Sequence, residues 1–107
     1  MLPHIQQIAT EFKDQLLKVY GSELAKLILF GSYSRGDYNA DSDLDFAVVL
    51  KNDNTNSTSE IDKISAISHD LSLKHNIFVS YIGMPDSKLQ NSQLGFYQEI
   101  RKDGIMI

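Results

Sequence analysis

Hydrophobic residues follow two rhythms along this chain. From Pro3 to Tyr20, Ile5, Ile8, Ala9, Phe12, Leu16 and Val19 or Tyr20 recur at three- and four-residue spacing, the stripe of an amphipathic helix. Pro3 suits the first turn, where its missing N–H costs nothing. Gly21 suits the stop after the last turn. A second stripe, Ile61, Ile64, Ile67 or Ser68, Leu71 and Lys74, predicts a helix from Ser59 to Lys74 or His75. Ser59 and Asp62 form a weaker relative of a capping box at its start, and Asn76 suits the left-handed position at its end. The other rhythm is unbroken. Leu27–Phe30, Phe46–Leu50 and, around Ser80, Ile77–Ile82 are short apolar runs without helical spacing, which read as strands, the first of them buried on both faces at the sheet centre.

The remaining segments are punctuation and a closing unit. Ser22 caps a turn through Ala25-Lys26, and Gly83-Met84-Pro85-Asp86 reads as a turn in which Pro85 ends the third strand. Residues 51–59 carry no apolar side chain and predict a surface loop. Ser87 to Leu94 reads as a short irregular helix or an interface loop. Phe96 to Lys102 predicts a final helix with Phe96, Tyr97 and Ile100 inward, closed by Gly104. The apolar end, Ile105-Met106-Ile107, predicts a short strand on a sheet edge. Helices covering a small buried sheet make this an α/β (α+β) domain, and 107 residues fit one domain spanning 1–107.

Composition narrows the classes. Hydrophobic residues make up 42% and charged residues 22%, which fits a packed core and argues against disorder. There is no cysteine, so disulfides and thiolate metal sites are excluded. No run reaches the roughly 18–20 apolar residues of a membrane span, and the start, MLPHIQQIATEF, lacks the pattern of a secretory leader. The expected location is cytoplasmic. The net charge is −4 with no basic tract, which argues against a long nucleic acid as partner. A nucleoside triphosphate needs only a local site.

That local site falls between the first two strands, in LILFGSYSRGDYNADSDLDFAVVL, Leu27 to Leu50. Strand periodicity puts Asp43 and Asp45 on one face, about 6–7 Å apart by the rise per residue. Two such carboxylates repel unless a cation sits between them, and Mg2+ is the natural one, keeping water positions for a phosphate. Asp45 is otherwise hard to explain, because five apolar residues follow it and a lone buried carboxylate is costly. Upstream, Gly31 opens a turn where a Cβ would crowd a ligand. Ser32 offers a hydroxyl and a backbone N–H to phosphate oxygens. A short helix after Ser32 would add further N–H groups. Arg35 either reaches a phosphate or braces the loop through Asp37 or Asp41. His4, His69 and His75 read as structural residues: His4 lies on the surface, and His69 and Asp70 point about 100° apart on a helix.

Gly31-Ser32, ten residues, then Asp43-Leu44-Asp45 resembles the signature of the nucleotidyltransferase superfamily of DNA polymerase beta. With Arg35-Gly36 and Ser42 included, the string is similar to its small stand-alone prokaryotic branch, the minimal nucleotidyltransferases. Members of that branch are often encoded beside a HEPN-domain toxin and act as its antitoxin. The resemblance covers nearly the whole chain. It implies a small mixed β-sheet with flanking helices, the nucleotidyltransferase core. It implies Mg2+ held by Asp43 and Asp45, ATP bound through Gly31, Ser32 and Arg35, and AMP transferred to a tyrosine of a cognate HEPN toxin; the sequence leaves open whether the chain forms a homo- or hetero-oligomer. The family usually carries a third carboxylate on the third strand, where this chain has Ser80. That departure leaves open a second reading, a nucleotidyltransferase-fold protein that neutralises its partner by binding alone. A transferase acting on an aminoglycoside or another small molecule is a third, and would require an acidic pocket. Self-modification at Tyr33 or Tyr38 is a further acceptor choice.

Overall fold

The computed structural model describes residues 1–53 and 58–107, with the side chains of 58 and 59 excepted. Its elements are α1 (Pro3–Tyr20), a 3-10 turn (Gly21–Glu23), β1 (Leu24–Phe30), α2 (Ser32–Arg35), β2 (Leu44–Leu50), α3 (Thr58–His75), β3 (Val79–Pro85), α4 (Asp86–Asn91), α5 (Gly95–Asp103) and β4 (Ile105–Met106). The four strands form one sheet in the order β3-β2-β1-β4. β1 runs antiparallel to β2 and β4, whereas β2 and β3 are parallel and joined through α3. The sheet is therefore mixed, with helices on both faces. Among the described residues, no helix is long and apolar enough to cross a membrane.

The two faces are divided by the strand period of two. Leu27 and Leu29 of β1, with Leu44, Phe46, Val48 and Leu50 of β2, pack beneath α1 and α3. Ile5, Ile8, Ala9, Phe12 and Leu16 are all buried in that layer, so the predicted stripe of α1 is the observed one. Phe12 meets Phe46 edge-on, ring centroids 5.1 Å apart, an arrangement that adds to plain area burial. The intervening positions, Ile28, Ala47 and Val49, pack on the other face with Met84, Leu89 of α4 and Ile100 of α5.

Several boundaries differ from the sequence reading. β1 begins at Leu24, and Ala25-Lys26 belong to it rather than to a turn. Leu24 pairs with Leu50 and Lys26 with Val49, so Ala25 is the extra residue of a β-bulge that lets the strand reach the end of its partner. β3 starts at Val79, two residues late, because Asn76 takes a left-handed conformation (φ 51) at the end of α3. The Ser72 hydroxyl then accepts the Val79 amide at 2.9 Å. Gly83-Met84-Pro85 continues β3 instead of turning. Pro85 is tolerated because β3 pairs only with β2, so its missing N–H breaks no second ladder. Phe96 is 39% exposed and Ile61 46% exposed, so neither is inward as the spacing predicted. α3 instead buries Ile64, Ser68 and Leu71, and the Ser68 hydroxyl is satisfied by the Ser65 carbonyl at 3.1 Å. The terminal edge strand is present, with Ile105 opposite Leu29 and Met106 opposite Ile28. Of the predicted 51–59 loop, residues 54–57 lie outside the described residues, as does the Ser59 side chain of the proposed cap.

α1 and α3 are also joined by charge. Lys74 and His75 both contact Glu11. The Lys74 hydrogen bond, then that of His75, holds the Glu11 carboxyl below its ordinary range against the opposing effect of burial.

Candidate active site at the mouth of β1 and β2

Register builds this site. Asp45 of β2 lies opposite Phe30 on β1 and opposite Ser80 on β3. It is the polar end of the Asp45-Ala47-Val49 row, so its carboxylate emerges on the α4/α5 face at the end of an apolar stripe. The Ser80 hydroxyl donates to Asp45 Oδ1 at 2.5 Å and also lies 3.3 Å from the Leu44 carbonyl. Ser80 thus stands where the sequence reading placed the missing third carboxylate, and it serves the remaining one.

The other carboxylate oxygen explains Gly31. A Cβ on Gly31 would come within 2.5 Å of Asp45 Oδ2, and the backbone there has φ +77. Both the position and the conformation exclude a side chain. The Asp45 carboxylate is thus held at Oδ1 by a hydroxyl, and Oδ2 has room because Gly31 carries no side chain. Such close support is how a charged group is held in one orientation.

Gly31 caps α2, and its carbonyl accepts the amides of Ser34 and Arg35, each at 3.2 Å, and the Ser34 hydroxyl at 2.8 Å. The first N–H groups of a helix have no intrahelical acceptor, and here they belong to Ser32 and Tyr33. The turn closes on Gly36, left-handed at φ 84. Beyond it, Tyr33 and Tyr38 stack with ring centroids 4.5 Å apart. The short helix expected after Ser32 is therefore present, packed beside the Asp45 carboxylate.

Arg35 leaves the loop for a distant partner. Its Nε reaches Asp37 at 3.2 Å and its Nη1 reaches Glu99 of α5 at 2.8 Å. The Asp37 hydrogen bond, followed by the fields of Asp37, Glu99 and Asp103, raises its pKa against the opposing desolvation. Asp41 is exposed and not its partner; the Asp41 amide instead bonds to the Asn39 side chain at 2.8 Å. Glu99 was invisible to sequence reasoning, lying 64 positions away with no motif around it.

Asp43 is exposed and precedes β2 by one residue. Strand geometry therefore governs Asp45 but not Asp43. Asp86, a remote alternative carboxylate, starts α4 and pairs with Lys26 at 3.3 Å. Among the described residues no group of three or more His, Cys, Asp or Glu side chains gathers around one point. Mg2+ takes one or two protein carboxylates and completes its octahedron with water and phosphate, and the carboxylates at this mouth are the half-buried Asp45 and the exposed Asp43.

Residues 5–103 match a protein family described as nucleotidyltransferase domain. The chain is 33% identical over 103 residues to a Methanocaldococcus jannaschii protein provisionally named protein adenylyltransferase MJ0141, covering 96% of this chain and 98% of that one. The fold superposes with a TM-score of 0.62 on a chain from a crystal structure of a toxin-antitoxin with AMP-PNP, at 21% identity and covering 98% of this chain and 72% of that one. It superposes with a TM-score of 0.60 on a chain of a mutant toxin-antitoxin MntA-HpeT, at 22% identity and covering 100% of this chain and 72% of that one.

Proposed function

The chain belongs to the nucleotidyltransferase domain family, and from that premise we propose that it transfers AMP from ATP to a protein hydroxyl, a tyrosine of a cognate HEPN-type toxin, and so acts as an antitoxin. The observation that carries the reading is the Asp45 carboxylate, one oxygen hydrogen-bonded by the Ser80 hydroxyl and the other filling the space that a side chain at Gly31 would take. A strand needs no such arrangement for stability, since an apolar residue would extend the Ala47-Val49 row at lower cost.

In this reading Gly31 and Ser32 bind the β- and γ-phosphates through backbone N–H groups and the Ser32 hydroxyl. Asp43 and Asp45 would hold Mg2+, which when bound would balance charge on the triphosphate and the departing pyrophosphate. Arg35 keeps donors beyond those used by Asp37 and Glu99, because a guanidinium has five N–H bonds, and these would serve a phosphate. The acceptor hydroxyl forms a bond to the α-phosphorus, the bond to the β-phosphate oxygen breaks, and the hydroxyl proton passes to solvent. The protein contributes positioning and fixed polar groups. Acceptor specificity comes from the partner. Support for a protein acceptor comes from the relative named protein adenylyltransferase. Support for ATP and for a toxin partner comes from the structural neighbour crystallised as a toxin-antitoxin with AMP-PNP.

A second reading has one observation in its favour. Ser80 brings no charge to the position facing Asp45, which removes a ligand for any further metal ion and weakens activation of the acceptor. The protein would then neutralise its partner by binding. Incubation with α-labelled ATP, Mg2+ and the neighbouring helical partner separates the two. Label on a partner tyrosine, absent with D43A/D45A, is the expected result. Tight binding without label establishes the binder.

A further inference from the structure

A cluster remote in sequence from the phosphate loop joins the start of α1 to the end of α3. His4 Nε2 lies 3.2 Å from His75 Nδ1. His75 Nε2 lies 2.5 Å from Glu11 Oε2, and Lys74 pairs with the other oxygen of that carboxylate. The His75 side chain is 7% exposed, whereas His4 is open to solvent.

Proton inventory gives this arrangement its meaning. The carboxylate accepts the Nε2–H of His75, which in the neutral ring leaves a lone pair on Nδ1. That lone pair accepts the Nε2–H of His4, and with the His4 proton moved to its Nδ1 both facing nitrogens present lone pairs to an ion. A histidine whose one nitrogen is fixed by a carboxylate while the other points to an ion is the recurring pattern of metal-bound imidazoles. Two nitrogens bound at about 2.0–2.1 Å in a tetrahedral shell lie roughly 3.3 Å apart, so the observed separation admits an ion with little movement.

We propose that His4 Nε2 and His75 Nδ1, with Glu11 orienting His75, form a surface site for a divalent transition-metal ion of the Zn2+ class. Imidazole donors select zinc, nickel or copper over magnesium, so this site and the carboxylate pair take different ions. Among the described residues no third His, Cys, Asp or Glu ligand converges there, so water completes the shell and the ion exchanges freely. Bound metal ties the first turn of α1 to the last residue of α3. Because the site exists only when the two helices are docked, occupancy stabilises the folded chain. This inference does not depend on the proposed transferase activity.

The test uses the full chain without a histidine tag, titrated with ZnCl2 by calorimetry in the absence of ATP. Co2+ absorption serves as a spectroscopic readout. One zinc equivalent is expected for the parent and for D43N/D45N. Affinity should fall at least tenfold in His4→Ala, with loss of the imidazole-bound Co2+ bands. Zinc should raise the Tm of the parent but not of His4→Ala. Because His4 is exposed, that variant folds even if His75→Ala does not. Unchanged binding in His4→Ala, binding lost in D43N/D45N or His69→Ala instead, or no uptake by the parent would each overturn the site.

Discussion

The two faces of β2 differ although they share one backbone. Toward α1 and α3, Leu44, Phe46, Val48 and Leu50 are each at most 2% exposed and continue a single apolar layer. Toward α4 and α5, Ala47 and Val49 are fully buried, but the row begins with a carboxylate. The period of two lets one strand present two surfaces, an unbroken apolar layer on one side and a carboxylate at the end of the other. Because Asp45 sits at the strand's first turn into the sheet, its head can meet a substrate while its backbone is held by two ladders.

Substitutions on either side sharpen that division. The largest expected effect on folding is Phe46→Ala, which removes the ring facing Phe12 and should cost about 3–5 kcal/mol, read as a fall in denaturant midpoint. The largest effect on chemistry is Asp45→Ala. AMP transfer to the partner should fall roughly a hundredfold or more while the Tm holds or rises, because the variant no longer keeps a half-buried charge. A large drop in Tm with this variant would break the comparison. Removing Mg2+ with a chelator should match that loss in activity without unfolding the protein.

Gly31→Ala should affect both properties. The positive-φ, extended backbone (φ 77, ψ −153) alone costs a side chain roughly 1–3 kcal/mol, and the added Cβ displaces Asp45 Oδ2, so transfer should fall about tenfold or more as the Mg2+ requirement rises. Ser80→Ala comes next. Loss of one hydrogen bond to a charged group costs roughly 1.5–3 kcal/mol where the partner is buried, and less here because solvent reaches the site. The Mg2+ concentration for half-maximal transfer should rise several-fold, and Ser80→Thr should restore it. The smallest effect is Glu99→Gln. It frees Arg35 from α5 at an exposed pair, so Tm should be indistinguishable from the parent. A change in KM for ATP would show that the brace positions Arg35.

Much of this was legible from the chain alone, and the reasons are local. The α1 stripe survives intact because Ile5, Ile8, Ala9, Phe12 and Leu16 have no other way to be buried together. Gly31-Ser32 and Asp43-Leu44-Asp45 are contiguous strings whose residue types have few structural uses, so they marked one candidate site, and the family it belongs to, before any fold was known. Errors fell where a neighbour overrides local preference. Gly83-Met84-Pro85 looks like a turn but is held in β3 by β2. Ala25 looks like a turn residue but is the bulge that β1 needs to stay in register. Phe96 has inward spacing, yet α5 is short and Ile100 alone is deeply buried.

The sequence by itself determined the helices, the apolar runs and the identity of the chemical groups, since propensity, periodicity and charge act over a few residues. Only the tertiary structure decided which groups meet. Ser80 reaches Asp45 because two parallel strands align across 35 positions. Glu99 reaches Arg35 because α5 folds back on the loop. His4 reaches His75 because α1 and α3 pack side by side. Each meeting depends on register or docking angle between distant segments, and those are fixed by the packing of the whole core rather than by any residue's own preference.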